Sequence, residues 1–196
     1  MKFKLIMHSL LVAGAVTMAT SATAATPTAE MLGNTCAGCH GIDGSSNGPA
    51  IPSIAGIDVD YFIESMTLYQ SNERPSTIMG RIARGYTAQE IELMAEFFNT
   101  KKLKTIDQTT DAALAAKGAS LHDRFCEKCH EEGGRIADGS AILAAQMLPY
   151  LEYSMTDFNS GMRDMPRKMK SKMQDVKEKY GDDGFKQLVH FYASQK

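Results

Sequence analysis

All four cysteines of the chain fall in two copies of one five-residue word, Cys36-Ala37-Gly38-Cys39-His40 and Cys126-Glu127-Lys128-Cys129-His130. Two thiols at this spacing reach the two vinyl groups on one edge of a porphyrin, and the histidine that follows lies under the iron and ligates it. Each word therefore reads as the attachment site of a covalent haem c, and two haems are expected. A thioredoxin-like disulfide would leave both histidines without a role. A closed zinc site needs a fourth ligand, and the pairs stand ninety positions apart instead of the about 15 to 20 usual for zinc.

What sits on the other side of each iron decides the chemistry: a methionine gives an electron carrier, an open position gives reactions on small molecules. The chain holds 13 methionines, so most must serve elsewhere. Met66 and Met94 fall on helical apolar stripes and read as core. Met79, in Ser76-Thr77-Ile78-Met79-Gly80 after Pro75, is placed in a loop past the first haem word and is the expected distal ligand there. Met162, Met165, Met169 and Met173 occupy the corresponding stretch of the second half. Met165 precedes Pro166, which turns its backbone away from helix, and is preferred, with Met169 as substitute. His122 and His190 read as structural residues, and His8 lies in the leader.

A ligating histidine donates its second ring N–H to an acceptor that fixes the ring. Gly48-Pro49-Ala50-Ile51-Pro52 can supply a backbone carbonyl to His40, with Pro49 the expected one. Gly139-Ser140-Ala141-Ile142 contains no proline. Unequal surroundings and unequal potentials are therefore expected of the two haems.

The elements that must hold these groups repeat as well. With a shift of 89, Tyr61 falls on Tyr150, Ser65-Met66-Thr67 on Ser154-Met155-Thr156 and Tyr69 on Phe158; farther on, Phe97-Phe98 matches Phe191-Tyr192. A period this long marks a duplicated domain, since solenoid repeats run at about 20 to 50 residues. Each half reads as short helices without a convincing strand. In the first, these are Ala29 to Cys36, Asp60 to Tyr69, and Ala88 to Asn99, the last opened by a capping box of Thr87 and Glu90. In the second, Pro149 opens a helix through Met155, and a terminal helix runs from Gly184 to Ser194. The polar stretch Lys101 to Asp111 reads as linker, giving a leader at 1–25, domains at 26–100 and 112–196, and a linker at 101–111.

Lys2 and Lys4, the apolar run Leu5 to Val16 and the small residues Ala22-Thr23-Ala24 form a secretory signal. The apolar run is short of the about 20 residues a membrane span needs. Export to the periplasm, where haem is joined to reduced thiols, is expected. Loss of the leader removes two lysines and no acid, so the formal charge falls from −2 to −4. That is the wrong sign for a nucleic-acid binder.

Beyond the haem words, four segments carry a resemblance: Asn34-Thr35-Cys36-Ala-Gly-Cys39-His40-Gly41, Ser76-Thr-Ile-Met79-Gly-Arg-Ile-Ala-Arg-Gly-Tyr86, Leu121-His-Asp-Arg-Phe-Cys126-Glu-Lys-Cys129-His130 and Phe191-Tyr-Ala-Ser-Gln195. With these the chain resembles the dihaem cytochrome c subunits of flavocytochrome c sulfide dehydrogenases. The resemblance implies an all-α fold of two tandem class I cytochrome c domains related by a pseudo-twofold, each wrapped around one covalent haem. It implies His40 and Met79 on the first iron, His130 and Met165 on the second, and a flavoprotein partner that oxidises sulfide and passes electrons to this subunit for transfer to a soluble carrier. The chain contains no Gly-x-Gly-x-x-Gly fingerprint, so the flavin is expected on the partner. A free-standing dihaem carrier serving a terminal oxidase is the alternative in the same chemistry. A dihaem peroxidase-type enzyme would need one open iron, and a methionine in reach of each haem argues against it.

Overall fold

The computed structural model describes residues 26–136 and 139–196; the leader expected at 1–25 lies outside them. Among the described residues the regular structure is entirely helical. α1 (Ala29–Asn34), α2 (Ala37–His40), α3 (Val59–Ser71), α4 (Met79–Ala83) and α5 (Ala88–Asn99) make the first half, and α6 (Ala112–Phe125), α7 (Glu131–Gly134), α8 (Leu148–Ser160) and α9 (Arg167–Ser194) the second.

Each half closes around its own apolar cluster. In the first, Leu32 of α1 meets Phe62 and Met66 of α3, Ala83 of α4, and Ile91, Met94, Ala95 and Phe98 of α5. In the second, Leu121 and Phe125 of α6 and Leu151 of α8 meet Val176, Phe185, Leu188, Val189 and Tyr192 of α9. Full burial of a large apolar side chain contributes about 1.5–3 kcal/mol, so clusters this small leave a large apolar cofactor face much to add. In both halves the leading helix crosses the closing helix at a glycine. A Cβ on Gly33 would lie 2.3 Å from the Phe97 ring, and one on Gly118 would lie 2.1 Å from the Gln187 carbonyl oxygen.

Helix ends follow from the residues that cap them. The Thr87 side chain and Glu90 close the expected capping box at the start of α5, and Asp58 and Asp111 cap α3 and α6 by accepting from Tyr61 N and from Ala113 and Leu114 N. α3 and α8 stop in the left-handed conformation, at Asn72 (φ 62°) and Gly161 (φ 73°). Pro149 sits in the first turn of α8. Two boundaries differ from expectation. The terminal helix begins at Arg167, where Met173, Val176 and Tyr180 turn one face of the lysine-rich stretch toward the second core, and is broken at Gly181 (φ 63°, ψ −153°) before the part expected from Gly184. Met79 opens the short helix α4 instead of lying in a loop.

The stretch from Lys101 to Thr110 has no helix but is tied down. Gln108 donates to the carbonyls of Gln146 (2.9 Å) and Ala193 (3.1 Å), and its Oε1 accepts from Leu148 N at 2.8 Å.

Candidate haem sites

One helical turn organises each haem word. His40 N and Cys39 N both donate to the Cys36 carbonyl, at 2.9 and 3.2 Å, and His130 N and Cys129 N donate to that of Cys126 at 3.0 and 3.1 Å. None of the four cysteines is in a disulfide; Cys39 and Cys129 are exposed, Cys36 and Cys126 half-buried. Burial pushes the Cys36 and Cys126 thiols up. That is the opposite of an activated thiolate and speaks against a redox disulfide pair.

Behind each word a loop folds back in the same way twice. The Gly44 carbonyl accepts from Ile54 N (2.7 Å) and Ala55 N (3.0 Å), and the Gly134 carbonyl from Leu143 N (2.9 Å) and Ala144 N (3.0 Å). Gly56 N then bonds the Phe98 carbonyl at 2.8 Å, as Ala145 N bonds that of Tyr192 at 2.9 Å. This loop brings the Pro52 carbonyl, and not that of Pro49, to 2.8 Å from Nδ1 of His40. The segment was right and the residue wrong, because the reach of the loop is set by the Gly44 bonds. With Nδ1–H donated, the lone pair is on Nε2, where an iron ligand needs it. Burial lowers the His40 pKa and keeps the ring neutral.

His130 is also held despite the missing proline. The Ala141 carbonyl, which occupies the place of Pro52, faces the ring, and burial again lowers its pKa. Ser140 Oγ stands 3.5 Å from its Nδ1, at the outer edge of hydrogen bonding. The two rings are thus both oriented, His40 more tightly.

On the distal side Met79 is half-buried and packs with Tyr69 against the first core. Ser76 Oγ accepts from Gly80 N at 2.8 Å and fixes the turn that presents it. Ile42, Ile78 and Ile82, beside His40 and Met79 in sequence, are 77%, 47% and 37% exposed; an apolar ring would cover such surface. In the second half Met173 joins the core and Met162 is 62% exposed. Met165 and Met169, flanking Pro166 at the start of α9, are both half-buried.

Sequence reasoning missed the seam between the halves. Ser53 and Gln146 pair through Ser53 N to Oε1 (2.9 Å) and Nε2 to the Ser53 carbonyl (2.8 Å). Arg74 donates to Ser65 Oγ (2.5 Å) and to the Tyr150 hydroxyl (3.4 Å), and Arg163 donates to the Tyr61 hydroxyl (2.8 Å). Each guanidinium also lies over an aromatic ring of its own half, Arg74 over Tyr69 at 4.8 Å and Arg163 over Phe158 at 4.3 Å. Arg74 and Arg163 are related by the same shift of 89 that relates the tyrosines. That coincidence was the available signal.

Arg74 is 8% exposed, and among the described residues neither arginine is ion-paired with a carboxylate. A buried cation held by hydroxyls and aromatic rings without a carboxylate is costly unless an anion joins it, and haem c carries two carboxylates. Thiol pair, oriented imidazole, half-buried methionine, exposed isoleucines and unmatched arginine together fit a haem c. Of the other described histidines, His190 Nδ1 accepts from Asp111 N at 3.0 Å, and His122 is fully buried.

No family model matches the chain. Over 75 residues it is 45% identical to the cytochrome subunit of sulfide dehydrogenase of Chlorobaculum tepidum, which covers 38% of this chain and 67% of that one. It is 28% identical over 138 residues to cytochrome c4 of Pseudomonas aeruginosa, covering 65% and 68% of the two chains. The crystal structure of reduced recombinant cytochrome c4 from Pseudomonas stutzeri superposes with a TM-score of 0.72 over 87% of this chain and 100% of that chain, at 24% identity. The shared fold is that of two tandem class I cytochrome c domains.

Proposed function

The chain belongs to the c-type cytochrome family of the cytochrome subunit of sulfide dehydrogenase, and we propose that it is a periplasmic dihaem cytochrome that accepts electrons from a flavoprotein sulfide-oxidising subunit. It passes them to a soluble acceptor such as a small cytochrome. The observation that carries this reading is the doubled site: a thiol pair and an imidazole held by its Nδ1, repeated ninety positions on.

Bound haem c supplies a one-electron iron couple. The rest is the work of this chain. Cys36 and Cys39, and Cys126 and Cys129, form the thioether attachments. His40 and Met79 would hold the first iron, and His130 and Met165 the second, with Met169 the substitute. Arg74 and Arg163 supply positive charge at the seam for the haem carboxylates. Histidine and methionine at each iron would leave no site for a substrate, and the chain would transfer electrons without catalysing a reaction alone. Its leader carries it to the periplasm, and no helix among the described residues is long and apolar enough to cross a membrane.

The test is affinity purification of the native protein. Recovery of a flavin-containing polypeptide in equal amount, with sulfide-dependent haem reduction that the isolated chain lacks, is expected. A second reading, a free-standing dihaem carrier, draws support from the match to cytochrome c4 over 65% of the chain. Recovery of the chain alone, reduced equally well without any flavoprotein, would favour it.

A further inference from the structure

A polar relay sits beside the second haem word and has no counterpart beside the first. His122, in the last turn of α6, is fully buried. Its Nε2–H donates to the Glu127 carboxylate, since a carboxylate can only accept. Its Nδ1 then accepts from the hydroxyl of Tyr192, 2.9 Å away and itself 1% exposed. The His122 ring is wedged against Phe191 at 5.1 Å and edge-on to Tyr192 at 5.4 Å. Glu127 is thereby anchored to the α6–α9 core.

The same carboxylate reaches the turn that follows His130. Oε1 accepts from Glu132 N at 2.9 Å and Oε2 from Gly133 N at 3.2 Å. That turn is backbone of an uncommon kind: Glu132, Gly133 and Gly134 have φ of 51°, 70° and 87°. A left-handed residue other than glycine is disfavoured by about 1–2 kcal/mol and persists only where its surroundings impose it. In the first half, ninety positions earlier, Leu32 and Ala37 stand in place of His122 and Glu127, and of Ile42, Asp43 and Gly44 only Gly44 has a positive φ. The first half instead has the short bond from His40 to the Pro52 carbonyl, 2.8 Å against 3.5 Å from Ser140 to His130.

We propose that Glu127, held by His122 and Tyr192, is a positioning residue that pins the turn after His130 and so fixes the second iron-ligating ring, taking over part of what the Pro52 carbonyl does for His40. The inference rests on the reading of His130 as a haem ligand. It makes the second haem, and not the first, sensitive to a side-chain relay rooted in the core of its own half.

The experiment compares wild-type holoprotein with Glu127→Ala, Glu127→Asp and Glu127→Gln. Haem content is counted by pyridine haemochrome, both midpoint potentials are taken by spectroelectrochemistry, and the axial-methionine methyl resonances by proton NMR. Glu127→Ala, which installs the residue of the first half, is expected to shift one midpoint and one methyl resonance and leave the other pair in place. Glu127→Gln, whose single amide oxygen can replace only one of the two carboxylate oxygens that accept from Glu132 and Gly133, is expected to move the same midpoint by less than Glu127→Ala does. Should Glu127→Ala fail to load its haem, Glu127→Asp keeps the charge, shortens the reach by one methylene and must still move the second midpoint alone. Two haems with neither midpoint moved, or both moved alike, would overturn the positioning role. One haem per wild-type chain would instead refute the ligand reading on which it rests.

Discussion

Arg163 in the second half donates a 2.8 Å hydrogen bond to the hydroxyl of Tyr61 in the first, and Arg74 in the first reaches the hydroxyl of Tyr150 in the second at 3.4 Å. The exchange is reciprocal, as an approximate twofold axis between duplicated domains requires. Each arginine rests on an aromatic ring of its own half and reaches across to a hydroxyl of the other, so the halves are coupled through charge-assisted bonds as well as through Ser53 and Gln146.

Tyr61→Phe removes the shorter of these two bonds while keeping the ring. A hydrogen bond to a charged group contributes about 1.5–3 kcal/mol, and Arg163 is half-buried and can recruit water. A loss near the lower end, about 1.5 kcal/mol, is expected in urea unfolding. An unchanged midpoint and slope would mean that the seam does not hold the halves.

The crossing of α6 and α9 leaves no room for a side chain at Gly118, where a Cβ would lie 2.1 Å from a backbone oxygen. Gly118→Ala must push the helices apart, and overpacking of this kind costs about 1–3 kcal/mol. Differential scanning calorimetry should show the drop in Tm. Gly33→Ala should be milder, because its obstacle is the Phe97 side chain, which can rotate.

Met79→Ala and Met165→Ala should each abolish about half of the methionine-to-iron charge-transfer absorption, if each haem contributes one such bond. Full retention in Met165→Ala, with loss in Met169→Ala, would transfer the second distal role to Met169. Both residues are half-buried at the start of α9, one on each side of Pro166.

The Glu127 carboxyl is held below the usual carboxylate range, first by the bond from His122 and then by the Gly133 and Glu132 amides. An acid whose pKa falls on folding stabilises the fold above its unfolded value of about 4.3 and loses that contribution as pH drops through the folded value. Wild-type stability should therefore decline below about pH 5, and Glu127→Gln should flatten that decline. Parallel acid limbs in thermal scans of the two proteins would contradict the assignment.

Much of this molecule was legible in residue order. The Cys-x-x-Cys-His words are local, so spacing alone brings thiols and imidazole together. The Thr87–Glu90 capping box is equally local and gave α5 its start. The shift of 89 exposed the duplication, and with it Tyr61 and Tyr150. What was missed lies in contacts between distant segments. Position along the chain pointed to Pro49 as the acceptor, and only the Gly44 bonds to Ile54 and Ala55 decide for Pro52. Met79 begins a helix because Ser76 satisfies its turn, a contact that carries no strong sequence signal.

The sequence by itself determined that a thiol pair and its histidine recur ninety positions apart, and that helical segments repeat around them, because those properties depend on spacing within a turn or a repeat. Only the tertiary structure decided how each imidazole is held, that Arg74 and Arg163 cross the seam, and that His122 and Tyr192 anchor Glu127 under the turn after His130. These depend on where loops and helices up to about a hundred residues apart come to rest, and burial then fixes which polar groups must find one another.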